Sequence, residues 1–358
     1  MAFFGLIDSK KVQIELLLRT QDDNIDTLRR YREMAGIYYR LKEMNPKGML
    51  RYVRSVRDFF RLHNDYDILH AHGADPFVFY YAKKWGIPRI IMHSHTTADS
   101  KGDKYLLLKK CLRKAFLAFV TDRFACSRTA GAWLFGEKAV AKEQVTIIRN
   151  AIDMPKYLFN QEIRDEYRDT LGLEGRFVVG HVGRMTYAKN YPFLLNVFAC
   201  AAGMRENAFF ILVGDGPDLP SIERIIRQLG LEGRIMLLGL RHDVPALLQA
   251  MDVLVLPSHF EGLPITAIEA QAAGLPCVVS EGVAAEAIYT NLITRLPLHE
   301  SAEKWAETVL EQDIITRRSD PAAINASGYK LDDEVRRVEG IYRVIVERHT
   351  IMREKRLP

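Results

Sequence analysis

Two glutamates eight positions apart, Glu261 and Glu269, mark the densest run of chemistry-bearing residues in the 358-residue chain. The run reads Ser258-His259-Phe260-Glu261-Gly262-Leu263-Pro264-Ile265-Thr266 and ends at Gly274-Leu275-Pro276. Proline suits the first turn of a helix and glycine the position just past its end, so Pro264 and Gly274 bracket a helix. Glu261 then precedes that helix and Glu269 lies more than one turn inside it. The N–H groups of Ile265 and Thr266 point out of the N-terminus, where an anionic phosphate is well received. A carboxylate at the mouth and one along the helix can accept hydrogen bonds from sugar hydroxyls on either side of that phosphate. On the residues alone, two ordinary helix-end glutamates favoured by the dipole are an equal reading.

A second group follows the apolar run Phe177–Val182: Gly183, Arg184 and, five residues on, Lys189. A glycine turn with a planar guanidinium and a point-charge ammonium can surround a diphosphate. Gly214-Asp215-Gly216-Pro217 reads as a tight turn opening a helix; it lacks the third glycine of a dinucleotide fingerprint. Gly131 to Lys138 is not a phosphate loop, because Glu137 stands where the lysine belongs. His70-Ala71-His72 and His93-Ser94-His95 are two H-x-H pairs, and strand alternation puts each pair on one face. Four imidazoles so placed could hold zinc for hydrolysis, although no acidic ligand stands at a comparable position. Asp65-Tyr66-Asp67 precedes its strand and reads as a solvated loop.

The elements that position these residues alternate from end to end. Strands are expected at Val12–Leu18, Asp67–His72, Arg89–His93, Arg123–Cys126, Val145–Arg149, Phe177–Val182, Phe209–Val213, Ile235–Leu238, Val253–Pro257 and Cys277–Ser280. Helical periodicity lies at roughly 46–63, 75–85, 104–119, 189–203, 217–229, 264–273 and 331–348. Such alternation predicts parallel sheets covered on both faces: two doubly wound α/β domains, 1–152 and 153–330, with the aperiodic Arg149–Pro155 as hinge. Ligands of open parallel sheets bind beyond the carboxyl ends of the strands, where the residues above fall.

Composition excludes other classes. At 48% hydrophobic and 27% charged the chain is an ordinary globular protein. No apolar run approaches the roughly 20 residues of a membrane span, and the N-terminal residues show no secretory signal. Four cysteines without a C-x-x-C fit free thiols in a reducing cytoplasm. Residues 1–152 carry about +11 and the remainder about −6 of the net +5. Lys101, Lys104, Lys109, Lys110, Arg113 and Lys114 are interleaved with leucines and phenylalanines, as in a basic amphipathic helix that could lie on an anionic membrane. A core-packed helix with a solvated basic face is the plainer alternative.

Taken in order, Gly183-Arg184 with Lys189, Gly214-Asp215-Gly216-Pro217 and the E-x7-E pair Glu261/Glu269 resemble the retaining GT-B glycosyltransferases of family GT4, in the bacterial exopolysaccharide and capsule branch. Ile148-Arg149-Asn150-Ala151-Ile152-Asp153 is similar to that family's I-x-N-G-I-D hinge, with Ala151 in place of glycine. His93-Ser94-His95-Thr96 and Ala125-Cys126-Ser127 resemble segments of its N-terminal domain. The resemblance implies two Rossmann-like domains facing a central cleft, with residues 331–358 forming a helix that returns to the N-terminal domain. It also implies a nucleotide-sugar donor, a UDP-sugar, held by Gly183, Arg184, Lys189, Gly214, Leu240, Glu261, Ile265, Thr266 and Glu269. Arg184 and Lys189 would hold the diphosphate and neutralise the leaving nucleotide. Glu269 would accept from the ribose, Glu261 would bind the donor sugar, and His95 would face its reacting side. Neither a metal nor a cofactor is implied. The expected acceptor is a lipid-linked or other saccharide, at the inner face of the plasma membrane of a cytoplasmic protein, with no nucleic-acid partner.

Lys10–Leu16 looks like the family's second strand, so the first strand and its Gly-Gly loop are expected to be missing. A non-catalytic relative that binds nucleotide or a partner is therefore the alternative to an active transferase.

Overall fold

The computed structural model describes residues 6–19, 36–45, 47–95, 116–314 and 316–354, with the side chains of residues 314 and 348–354 left out. The basic segment 101–114 and most of the helix expected at 104–119 lie outside the described residues. The chain divides into two compact units: Met1–His95, Lys101–Arg149 and Leu331–Pro358 form the first, Thr96–Ser100 and Asn150–Lys330 the second.

In the first unit, β1 (Glu15–Leu18) and β2 (Ile37–Arg40) pair in parallel, while β3 (Ile68–Ala71), β4 (Arg89–Ser94), β5 (Asp122–Ala125) and β6 (Thr146–Ile147) form a parallel sheet in that order. The helices Met49–Leu62 and Pro76–Lys84 bury Tyr52, Val56, Phe60 and Phe79 against β4, whose Ile90 and Met92 join the same cluster. Asp75 caps the second of these, accepting from the N–H groups of Phe77 (3.0 Å) and Val78 (3.1 Å), and also takes the Tyr52 hydroxyl. On the opposite face the long helix Leu331–Glu354 lays Val338 and Ile345 on Ile91, Phe124 and Ile148.

The second unit holds β7 (Phe177–Val182), β8 (Ala208–Val213), β9 (Ile235–Leu237), β10 (Val253–Leu256), β11 (Cys277–Ser280) and β12 (Ile293–Leu296). All pair in parallel, in the order β12-β11-β10-β7-β8-β9. Being buried on both faces, β7, β8, β10 and β11 read as predominantly apolar runs, which is why the sequence reveals them. From β7 the chain winds outward to β8 and β9, then crosses back to β10. The order thus reverses between β7 and β10, the place where a doubly wound sheet opens a crevice beyond its strand ends.

Several elements depart from the sequence reading. β2 and β12 were not expected, and β6 is two residues long where five were foreseen. Ile293-Thr294-Arg295-Leu296 is an edge strand with partly exposed residues, so it lacks the apolar run of its neighbours. Helices Arg128–Phe135, Glu137–Ala141, Gln161–Thr170, Val244–Ala250, Ala302–Leu310 and Pro321–Ala326 were also missed. Gln161–Thr170 buries none of its residues, so it has no apolar stripe to reveal it.

Candidate active site

The loop after β7 and the loop after β8 are stacked backbone on backbone. Gly183 N–H donates to Val213 (2.9 Å), Met185 N–H to Asp215 (2.9 Å) and Gly214 N–H to Gly239 (2.8 Å). Glycine is required in the second loop. Gly214 has φ +136°, and a Cβ there would lie 2.0 Å from the Gly183 carbonyl; one on Gly216 would lie 2.3 Å from that of Met185. Tyr191, buried in the following helix Tyr191–Met204, donates its hydroxyl to the Gly183 carbonyl at 2.9 Å. The turn that carries the two cations is thereby fixed from both sides.

Lys189 ends a single 3₁₀ turn, Tyr187–Lys189, and Asn190 reverses the chain in a left-handed conformation, φ 55°. This aims Lys189 Nζ at Glu261 Oε1, 2.5 Å away, with the two side chains only 16% and 12% exposed. Ser258, fully buried at the end of β10, donates its hydroxyl to the same oxygen at 2.6 Å. A buried ion pair needs such extra hydrogen bonds to offset its desolvation. Ser258 is held in turn by Ser280, the last residue of β11, whose hydroxyl donates to its carbonyl at 2.5 Å. Arg184 is exposed, and its guanidinium makes no hydrogen bond among the described residues. One cation is therefore locked and one extends into solvent.

The helix expected beyond Glu261 spans Ile265–Ala272, with Pro264 as its cap residue rather than its first turn. Thr266 Oγ1 donates to the Val182 carbonyl at 3.3 Å, tying the helix start to the end of β7. Ile265 is exposed there, and Gly274 adopts φ +60° just past the helix end. Glu269 accepts the Tyr157 hydroxyl at 2.6 Å; burial pushes its carboxyl above the usual range, against the lowering by that hydrogen bond. Leu240 follows Gly239 and is 75% exposed. Gly183, Lys189, Gly214, Glu261 and Thr266 therefore share the ends of β7, β8 and β10, while Glu269 stands one turn along the helix.

Three further residues belong to this arrangement and escaped the sequence reading as functional groups: Ser258, Tyr157 and His181. His181, buried in β7, places Nδ1 2.7 Å from the Val255 carbonyl. A carbonyl only accepts, so Nδ1 carries the proton and Nε2 the lone pair. Nε2 is buried without a partner among the described residues, and burial lowers the base to about 3. The local sequence marks His181 only as the one polar residue of an otherwise apolar strand. His95 lies in the first unit at the end of β4, its Nε2 2.8 Å from His72 Nδ1.

Residues 163–315 match the family described as Glycosyl transferases group 1, and residues 7–155 match Glycosyltransferase Family 4. A protein of Bacillus subtilis (strain 168) named as glycosyltransferase EpsF is 32% identical over 320 residues, 86% of this chain and 82% of that protein. The UDP-Gal:alpha-D-GlcNAc-diphosphoundecaprenol alpha-1,3-galactosyltransferase of Escherichia coli is 29% identical over 244 residues, 65% of this chain and 63% of the enzyme. Among solved structures, Anabaena HepE in complex with UDP and glucose superposes with a TM-score of 0.69 at 18% identity, covering 99% of this chain and 96% of that one. The two parallel-sheet units are the Rossmann-like domains of the GT-B fold, as the sequence led us to expect. Reading the His pairs as the zinc centre of a hydrolase gives way to these matches. The chain belongs to the group 1, family 4 glycosyltransferases, enzymes that take sugars from nucleotide-sugar donors.

Proposed function

We propose that this glycosyltransferase is a retaining enzyme that moves a sugar from a UDP-sugar to a lipid-linked saccharide acceptor in exopolysaccharide or capsule synthesis. The observation that carries the reading is the Lys189–Glu261 pair at the switch point between β7 and β10, beside the start of the helix Ile265–Ala272. A cation, a carboxylate and free helix N–H groups at one strand end match the charges of a sugar diphosphate. In this reading Arg184 and Lys189 hold the diphosphate, with the N–H groups of Ile265 and Thr266 and the backbone of Gly183 and Gly214 around it. Glu261 binds the donor sugar, Glu269 the ribose, and Leu240 lies against the nucleotide. His95 is retained as a catalytic residue on the sequence resemblance alone.

Retention then proceeds on one face of the sugar. The bond from the anomeric carbon to the phosphate oxygen breaks, a bond to the acceptor oxygen forms, and the acceptor's proton passes to the departing phosphate. No enzymic nucleophile takes part, and the two cations neutralise the leaving group without a metal or cofactor. UDP in the HepE structure and the diphosphoundecaprenol in the name of the E. coli relative support the choice of donor and acceptor. The membrane-surface part of the reading rests on residues 101–114; no described helix is long and apolar enough to cross a membrane.

The test is a panel of nucleotide sugars scored by thermal stabilisation and by turnover onto a lipid-diphosphate sugar, with the product anomer read by proton NMR. Selective stabilisation by one UDP-sugar and a retained anomer are expected. An inverted anomer, or no response to any UDP-sugar, overturns it.

A further inference from the structure

His70, His72, His93 and His95 form a ladder at the carboxyl ends of β3 and β4. His70 opposes Ile91 in the parallel register, so both H-x-H pairs share the sheet face that carries the helix Leu331–Glu354. The rings are stacked: His70 on His72 at 4.6 Å between centroids, His93 on His95 at 4.1 Å. Across the strands, His70 Nε2 lies 3.1 Å from His93 Nδ1, and one ring nitrogen from each of His70, His72 and His93 falls within 4.8 Å of the others. The deep end is buried at His93, while His72 and His95 are open to solvent along one edge.

We propose that His70, His72 and His93 bind a divalent transition-metal ion of the zinc, nickel or copper class. Three features of the cluster point there. The donors are imidazole nitrogens with no carboxylate in the group, a set that suits these ions and disfavours magnesium, calcium and manganese. Two nitrogens on a tetrahedral zinc with bonds of about 2.0–2.1 Å stand roughly 3.3 Å apart, close to the existing His70–His93 separation. His70 Nδ1 lies 2.5 Å from the Tyr342 hydroxyl, the outer hydrogen bond that fixes a ligating imidazole and leaves Nε2 for the metal. The solvent edge at His72 gives the ion its way in and leaves a coordination position for water.

This site lies wholly in the first unit and is independent of the donor assignment. The test uses the full chain, stripped of metal by a chelator, in equilibrium dialysis against zinc chloride, with magnesium chloride in parallel. One zinc per chain and no magnesium are expected. His72→Gln, at the exposed edge, lowers zinc affinity at least about tenfold while the circular dichroism spectrum is unchanged, and Tyr342→Phe lowers it by about tenfold. Cobalt(II) in place of zinc gives the intense visible bands of a tetrahedral nitrogen site, and these vanish in His70→Gln/His93→Gln. Zinc uptake that is absent, or equal in the wild type and His72→Gln, overturns the proposal and leaves the cluster a hydrogen-bonded ladder.

Discussion

Lys189 and Glu261 are separated by 72 residues in the chain and by 2.5 Å in space. Each comes from the loop beyond one of two neighbouring central strands, and each is nearly buried. The carboxylate holds the ammonium in place before any donor arrives. An ammonium has three N–H groups, so Lys189 can meet a phosphate without leaving Glu261.

This pairing separates stability from turnover. Lys189→Ala is expected to lower turnover at least about 100-fold by removing charge from the departing phosphate. It also leaves Glu261 as an uncompensated carboxylate, destabilising the fold by about 3 kcal/mol. Lys189→Ala/Glu261→Gln recovers the urea midpoint and leaves turnover low. Recovery of both would remove Lys189 from the reaction.

Arg184 offers the contrast. Its exposed guanidinium supports no other residue, so Arg184→Ala lowers turnover to a similar degree with a melting temperature within about 1 °C of the wild type. A large fall in stability would show that Arg184 serves the fold instead.

In the proposed donor site, Glu269 and Tyr157 bear on affinity. Glu269→Ala raises the dissociation constant for UDP by about tenfold or more, with a smaller change in the rate at saturating donor, since ribose contacts are made in ground and transition states alike. Tyr157→Phe removes the hydroxyl 2.6 Å from Glu269 and raises the carboxyl's pKa further. Nucleotide affinity in this variant then falls at a higher pH than in the wild type, read by calorimetry between pH 7.5 and 5.5.

Gly214→Ala tests the stacked loops. Its Cβ meets the Gly183 carbonyl in a φ region that L residues avoid, so the variant loses about 3 kcal/mol of stability and its stabilisation by nucleotide. An unchanged urea midpoint would show that the loops part easily.

His70 and His93 set an acid limit. Burial, and then neighbouring histidines, hold both bases well below an ordinary imidazole. The unfolded chain takes up protons on these rings near pH 6.5 and the folded chain does not. Their contribution is therefore complete above pH 6.5 and declines as pH falls below it, by about 1.4 kcal/mol per pH unit for each ring. Urea midpoints fall more steeply between pH 6.5 and 5 in the wild type than in His70→Gln/His93→Gln.

The loops beyond β7, β8 and β10 were legible because polar chemistry and fold share a signal there: apolar runs ending in Gly183, Gly214 and Ser258 announce both a buried strand and the polar turn beyond it. Glu269 could be placed on its helix, yet Tyr157 could not be placed beside it, because that contact joins residues 112 apart and leaves no local trace. The same holds for Ser280 beneath Ser258. The two H-x-H pairs were visible as pairs, but their stacking into one ladder depends on the register of β3 against β4. Where burial is one-sided or absent, as in β12 and Gln161–Thr170, periodicity carried nothing to read.

The reversal of strand order has a consequence in time. β7 is the first strand of its sheet to leave the ribosome, and the partner on one of its sides, β10, lies 74 residues further along, as the His181–Val255 bond records. At about 5–20 residues per second, that flank of β7 waits roughly 4–15 s for its neighbour, far longer than a hairpin takes to close. During this interval an apolar strand edge is open to strange chains. Slow translation between residues 183 and 252 should lower the soluble yield in cells short of chaperones, and faster codons there should raise it.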